Sequence, residues 1–110
     1  MMVRGDDLVK ILNALGNAQR LRIMAALVPG RNYVSQLARD LQMSRPLLHL
    51  HLQRLEAAGL ITGSLELSAD GKAMKFYEVA PFSIELNPAS IVDASRTLSI
   101  DHKEEENQGT

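Results

Sequence analysis

The stretch Ser44-Arg-Pro-Leu-Leu-His-Leu-His-Leu-Gln-Arg-Leu-Glu-Ala-Ala-Gly59 decides the fold. Ser44 is a helix-capping residue type, and Pro46 falls in a first turn, where backbone N–H groups lack intrahelical partners anyway. Leu48, Leu52 and Leu55 recur at helical spacing and predict one apolar stripe. Gly59 can close the helix in the left-handed conformation. The opposite face carries Pro46, His49, Leu50 and Gln53, with Arg45 and Arg54 on its flanks. A helix over 44–59 that buries one stripe and shows so mixed a face is a candidate reading element.

Upstream, the pattern predicts three shorter helices. Asp6 or Asp7 can cap the first, which runs through Leu8, Ile11, Leu12 and Leu15. Gly16-Asn17 breaks it. A second follows from about Ala18 to Leu27, with Leu21, Met24 and Leu27 on one side and Ile23 adjacent. Pro29-Gly-Arg31-Asn32 is a turn, and Tyr33-Val34 is short and β-prone. Ser35 is placed to cap a third helix, Gln36 to Leu41, which buries Leu37, Ala38 and Leu41. Gln42-Met43 is then the tight connection of a helix-turn-helix.

After Gly59 the period changes from helical to alternating. Ile61, Gly63, Leu65 and Leu67 alternate along Leu60–Ser68, and Lys72–Ala80 is a second β-prone run. Ala69-Asp70-Gly71 between them carries an Asp-Gly turn signal, so the two runs form a hairpin. Pro81 ends it. Phe82–Leu86 alternates again as a short extra strand, and Asn87-Pro88 caps a last helix from about Ala89 to Leu98, with Ile91, Ala94 and Leu98 on one face. The fold class expected is mostly α with a β-hairpin wing (α+β), a winged helix-turn-helix. One domain is expected over 5–98, followed by a disordered acidic tail over 99–110.

Composition narrows the function. The 110 residues contain no cysteine, which removes disulfides, thiolate metal sites and cysteine nucleophiles. No apolar run approaches the roughly 20 residues of a membrane span, and Met1–Asp7 lacks a signal-peptide core, so a cytoplasmic protein without membrane contact is expected. The net charge of −1 conceals an asymmetry. Residues 1–80 hold ten Lys/Arg against seven Asp/Glu, and residues 81–110 hold two against six. A mildly basic body with an acidic end is compatible with a nucleic-acid surface. There is no glycine-rich phosphate loop and no Ser-His-Asp grouping, so no catalytic residue and no enzyme is expected.

The segment Leu15-Gly-Asn-Ala-Gln-Arg20-Leu-Arg-Ile-Met24 resembles the second-helix signature of ArsR-type winged-helix repressors. Ser35–Leu41, Ser44–Leu52 and Leu55-Glu-Ala-Ala-Gly-Leu60-Ile are similar to the rest of that pattern, which includes a His-Leu pair late in the recognition helix, here His51-Leu52. Tyr77 stands where the family often has a wing tyrosine. The likeness covers about residues 8–80. It implies a homodimer on a pseudo-palindromic operator, joined through its first and last helices, 6–15 and 88–98. It also implies that Arg20 and Arg22 support structure. Metal-sensing members carry Cys-x-Cys at the start of the third helix, where this chain has Tyr33-Val-Ser35-Gln-Leu. Others bind zinc on the last helix, where Asp93, Asp101, His102 and Glu105 lack a second histidine. No metal and no cofactor is expected.

On this reading the partner is double-stranded DNA. Ser44, Arg45 and Pro46 sit at the helix end that enters the major groove first, where Arg45 can read guanine or hold a phosphate. His49 and Gln53 follow one and two turns on. Leu50 either touches a thymine methyl group or, with Leu47, packs on the wing or a partner. Arg54, Lys72 and Lys75 are candidate phosphate contacts, and Arg39 on the third helix and Arg31 in the loop before it are secondary candidates. His51 falls beside the buried stripe, as a hydrogen-bonded histidine at a helix junction. It points away from His49, so the two cannot share a metal. Two other readings fit the mild charge and the apolar Leu47/Leu50 face: a winged helix used for protein–protein assembly, and a weakly specific architectural DNA binder.

Overall fold

The computed structural model describes residues 3–99. In chain order these form α1 (Gly5–Leu15), α2 (Ala18–Leu27), β1 (Asn32–Tyr33), α3 (Val34–Leu41), α4 (Arg45–Ala57), β2 (Ile61–Leu67), β3 (Ala73–Val79) and α5 (Pro88–Ser95). The described chain divides into two compact units, one over Lys10–Phe82 and one that joins residues 3–9 to residues 83–99. No described helix is long and apolar enough to cross a membrane. Apart from Ser99, the acidic tail expected over 99–110 lies outside the described residues, as do Asp101, His102 and Glu105.

The unit Lys10–Phe82 carries the helix-turn-helix and the wing. Its core is aliphatic: Ile23, Leu27, Leu37, Leu48, Leu52, Leu55, Leu60 and Ile61 are fully buried, with Tyr77 beside them. Asn17 does more than break a helix. Its side-chain oxygen accepts from the N–H groups of Gln19 and Arg20 at 2.9 and 3.2 Å and so caps α2. Leu21, expected inside, is 54% exposed, because the inward stripe of α2 is Ile23, Met24 and Leu27. Successive helical residues turn by about 100°, which carries Leu21 well off that stripe.

Helix α3 starts at Val34, one residue before the expected Ser35 cap, and its N-cap is Tyr33, whose side chain makes no capping hydrogen bond. Tyr33 is free to serve there because its backbone is already extended in β1, a strand the sequence only hinted at. β1 pairs antiparallel with β3 (Asn32 opposite Tyr77, Tyr33 opposite Phe76), so the hairpin is part of a three-stranded sheet ordered β1-β3-β2. The hairpin register runs from Ile61 opposite Val79 to Leu67 opposite Ala73. Its tip is a three-residue loop. Gly71 donates to the Ser68 carbonyl at 2.9 Å and takes φ +84, and Ser68 donates to the Lys72 carbonyl at 2.8 Å. This is a turn closed by a left-handed glycine, the three-residue hairpin solution.

In the other unit, α1 begins at Gly5, so Asp6 and Asp7 lie inside its first turn instead of capping it. Asp6 is engaged elsewhere: the N–H of Ser99 donates to it at 3.0 Å and the Ser99 hydroxyl donates as well. Those bonds hold the Asp6 carboxyl below its usual range. Gly5 is buried and donates to the Thr97 hydroxyl at 2.6 Å. A Cβ there would stand 2.2 Å from the Ala94 carbonyl oxygen, so only glycine permits this approach. Residues 82–86 form no strand. Asn87 and Ser90 exchange side-chain bonds in a capping box at the start of α5. The helix ends at Ser95, three residues short of the expected Leu98.

Candidate nucleic-acid interface

Helix α4 is built as the sequence implies. Ser44 has extended backbone (φ −64, ψ 148), and its hydroxyl accepts from the Leu47 N–H at 3.3 Å. At the far end Gly59 takes φ +77. Gly59 donates to the Glu56 carbonyl at 3.0 Å and Leu60 to the Leu55 carbonyl at 3.0 Å. That pair of bonds is a Schellman closure, and Leu55 and Leu60 meet in the core beneath it. Helix α3 ends by the same bond pattern, with Gln42 instead of glycine at φ 53.

The inner side of α4 buries Leu48, His51, Leu52 and Leu55. His51 is 7% exposed, and its Nδ1 lies 3.1 Å from an Arg20 guanidinium nitrogen. Arginine has only donors, so Nδ1 accepts and the ring proton sits on Nε2. The same guanidinium donates to the carbonyls of Ala14 and Asn13 at 2.5 and 3.3 Å. One side chain of α2 thus joins the last turn of α1 to the reading helix. Burial first, then the nearby charges of Arg20 and Arg54, hold the His51 imidazole below its usual pKa. The structural role expected for Arg20 and the junction role expected for His51 are both realised.

The outward residues divide by helical phase. Arg45, His49 and Gln53 share one flank, Pro46 and Leu50 form the crest, and Leu47 and Arg54 share the other flank. All are exposed, Leu47 by 41% and Leu50 by 48%. The first flank borders the wing. Arg45 and His49 line a cleft of about 210 Å³ together with Tyr33, Val34, Ser35, Ala73, Met74 and Lys75. Lys75 is half-buried, with its ammonium 5.6 Å from the Tyr77 ring centroid. Tyr77 itself is 5% exposed and belongs to the core, not to the wing surface. Arg54 stands apart from this cleft, in a shallow depression with Lys10, Asn13, Ala14 and Ala57.

The remaining candidates are held to different degrees. Arg39 is exposed on α3 and donates to the Gln36 side-chain oxygen at 2.6 Å, with the Tyr33 hydroxyl at 3.5 Å. Lys72 is exposed beside the wing tip. Arg31 is committed inside the chain: it pairs with Glu66 and lies 4.4 Å over the Phe76 ring. Tyr33, Ser35 and Met74 enter the cleft without having been singled out in the sequence. Only the β1–β3 pairing brings them there, and no local pattern displays it. Among the described residues no three metal-ligating side chains converge. Asp93 is paired instead with Arg96 at 3.3 Å.

Comparison with known proteins decides the affiliation. Residues 17–62 match the bacterial regulatory proteins of the arsR family. Over 81 residues the chain is 32% identical to an HTH-type transcriptional regulator of Methanocaldococcus jannaschii, covering 74% of this chain and 84% of that one. The chain belongs to the ArsR family. It is accordingly a DNA-binding transcriptional regulator of the winged-helix type. Solved structures of similar fold cover most of the chain as well. A possible transcriptional regulatory protein of Mycobacterium bovis is 25% identical, with TM-score 0.62 over 83% of this chain and 82% of that one. Reduced HlyU of Vibrio cholerae is 23% identical, with TM-score 0.60 over 83% and 84%.

Proposed function

We propose that the chain represses transcription as a homodimer, with α4 in the major groove and the wing on the flanking backbone. The cleft that joins Arg45 and His49 of α4 to Lys75 of the wing carries this reading. It aligns a base-reading flank with a cation at the distance of a neighbouring element, as a duplex-binding surface requires. Ser44, Arg45, Pro46, His49, Leu50 and Gln53 face the bases. Arg54, Lys72, Lys75 and Arg39 hold phosphates, with Arg54 on the flank away from the wing. Leu50 on the crest meets a thymine methyl group.

The dimer forms through α1 and α5, in the ranges 6–15 and 88–98. Val9 and Leu12 on α1 are 47% and 42% exposed, and Ile91 and Val92 on α5 are 52% and 51% exposed. Apolar residues so placed suit an interface. The Mycobacterium bovis domain has also been described in solution as a homodimeric winged helix-turn-helix DNA-binding domain, at 24% identity and TM-score 0.62 over 83% of this chain and 70% of that one. A dimer seated over a promoter represses by occupancy alone.

The test is selection of sheared genomic DNA with the purified protein, followed by anisotropy on the recovered duplex across a salt series. The reading expects a preferred sequence with two-fold character, affinity that falls steeply with salt, and a dimer mass at micromolar concentration. No duplex binding at low salt, together with capture by Leu47 and Leu50 of another protein, restores the assembly-module reading. Equal binding to random and selected duplex makes the protein architectural.

A further inference from the structure

The sheet is three strands wide only at its base. β1 pairs with Phe76 and Tyr77 and reaches no further along β3. Beyond that point β2 and β3 have only each other, from Leu65 opposite Lys75 to Leu67 opposite Ala73. No core lies beneath this outer ribbon, where Leu65 and Leu67 are exposed. A two-stranded ribbon is marginal by itself and twists more than a wider sheet. Yet this one carries Lys75, which lines the cleft beside Arg45 and His49. The cleft keeps its shape only if the angle of the ribbon to the helix-turn-helix is held.

Arg31 is placed to hold it. It stands immediately before β1, and its guanidinium lies 4.4 Å over the Phe76 ring of β3. From there it pairs with the Glu66 carboxylate on β2. The side chain therefore crosses from the β1 edge over β3 to β2, on the face that carries Tyr33, Phe76 and Ser64 as directly opposed residues. Tyr33, the N-cap of α3, meets the same ring edge-on, with centroids 5.7 Å apart. A planar guanidinium can stack on a ring and donate in its own plane at once, which an ammonium cannot. Among the described residues, the Arg31–Glu66 pair is the one side-chain hydrogen bond or ion pair that joins the outer ribbon to the rest of the chain.

We propose that Arg31 and Glu66 are positioning residues for duplex binding: they brace the outer wing so that Lys75 stands beside Arg45, and neither touches the duplex. This rests on the duplex-reading function proposed above. It reverses an ordinary expectation. A carboxylate near a phosphate-binding face repels the duplex, so removing it should strengthen binding. Where the carboxylate anchors a brace, removing it weakens binding instead, and the loss passes through Lys75.

The experiment measures affinity for a labelled, selected duplex across a salt series. It compares the full chain with Glu66→Gln, Arg31→Lys, Lys75→Ala and the double variant of Glu66→Gln with Lys75→Ala. Thermal midpoints verify folding of each variant. Glu66→Gln is expected to bind roughly threefold more weakly, the scale of an exposed ion pair, with a flatter slope of log affinity against log salt. Arg31→Lys keeps the charge but loses the stacked, planar geometry, and is expected to weaken binding to a similar extent. The double variant is expected to bind no more weakly than Lys75→Ala alone, because both changes remove the same contact. A Glu66→Gln variant that binds as tightly as wild type, or more tightly, overturns the proposal. So does a loss that adds to that of Lys75→Ala. An Arg31→Lys variant that binds like wild type makes Arg31 an interchangeable cation and overturns it as well. In each of these cases the regulator reading stands, whereas a wild-type chain that binds no duplex at low salt removes both.

Discussion

Helix α4 has two sides held by different physics. Inside, Leu48, Leu52 and Leu55 are fully buried, and His51 is pinned by Arg20. Outside, among the described residues, Arg45, His49, Gln53 and Arg54 make no side-chain hydrogen bond, and Leu50 is half exposed. The inner side is determined by what the chain itself supplies. The outer side is left open for something the chain does not supply. Perturbing the first should change stability, and perturbing the second should change binding alone.

Leu52→Ala is the strongest way to break the inner side. A fully buried leucine truncated to alanine costs about 2–5 kcal/mol, and a urea unfolding midpoint measures the loss. A loss below about 1 kcal/mol would show that the core relaxes around the gap. Arg45→Ala is the matching change outside. It should weaken binding to the selected duplex by about 1–3 kcal/mol with an unchanged unfolding midpoint. A shifted midpoint would mean that Arg45 supports the fold, and the contrast between the two sides would blur.

Acid tests the polar pin of the inner side. The folded chain holds His51 below its ordinary value of 6.5, so the unfolded chain takes up the proton first. The stability this group contributes is therefore complete above the ordinary value and is lost as pH falls through it towards the lower, folded one. Unfolding midpoints at pH 7.5 and 5.5 should show the fall, and His51→Gln should flatten it. An equal fall in the variant would assign the effect elsewhere. Asp6 and Asp70, whose carboxyls are also held low by hydrogen bonds, lose their contributions only in stronger acid, below the ordinary 3.8. The smallest effect belongs to the turn before α4. Gln42 holds a left-handed conformation that glycine adopts freely, so Gln42→Gly should stabilise by at most about 1 kcal/mol without altering duplex affinity.

Much of α4 was legible because its information is local. The Ser44 cap, the leucine stripe and Gly59 each act within one helical turn of their position, and all three are realised. The flank that faces the wing was legible in part. Arg45 and His49 follow from helical phase, but their meeting with Lys75 depends on β1 pairing with β3, some 45 positions away in the chain (Asn32 with Tyr77). The reading of Asp6 fails for that same reason. Asp6 reads as a helix cap, yet it accepts from Ser99 at the other end of the described chain. Ile61, Gly63, Leu65 and Leu67 read as one alternating face, but alternation does not reveal that the core beneath that face stops before Leu65 and Leu67, which are 69% and 76% exposed. Leu21 was misplaced by phase, since four apolar residues within seven positions allow more than one inward stripe.

Arg20 and His51 also govern orientation. The leucine stripe chooses which face of the helix points inward, but attraction by area has no direction of its own, so it leaves small rotations about the helix axis soft. A hydrogen bond does have direction and weakens steeply when bent. Even a partial turn of α4 would bend the bond between His51 and the guanidinium and would shift the side chains that face outward. The buried pair therefore fixes the azimuth of the reading helix. Which residues face outwards is decided by a contact on the opposite side, out of reach of anything they read.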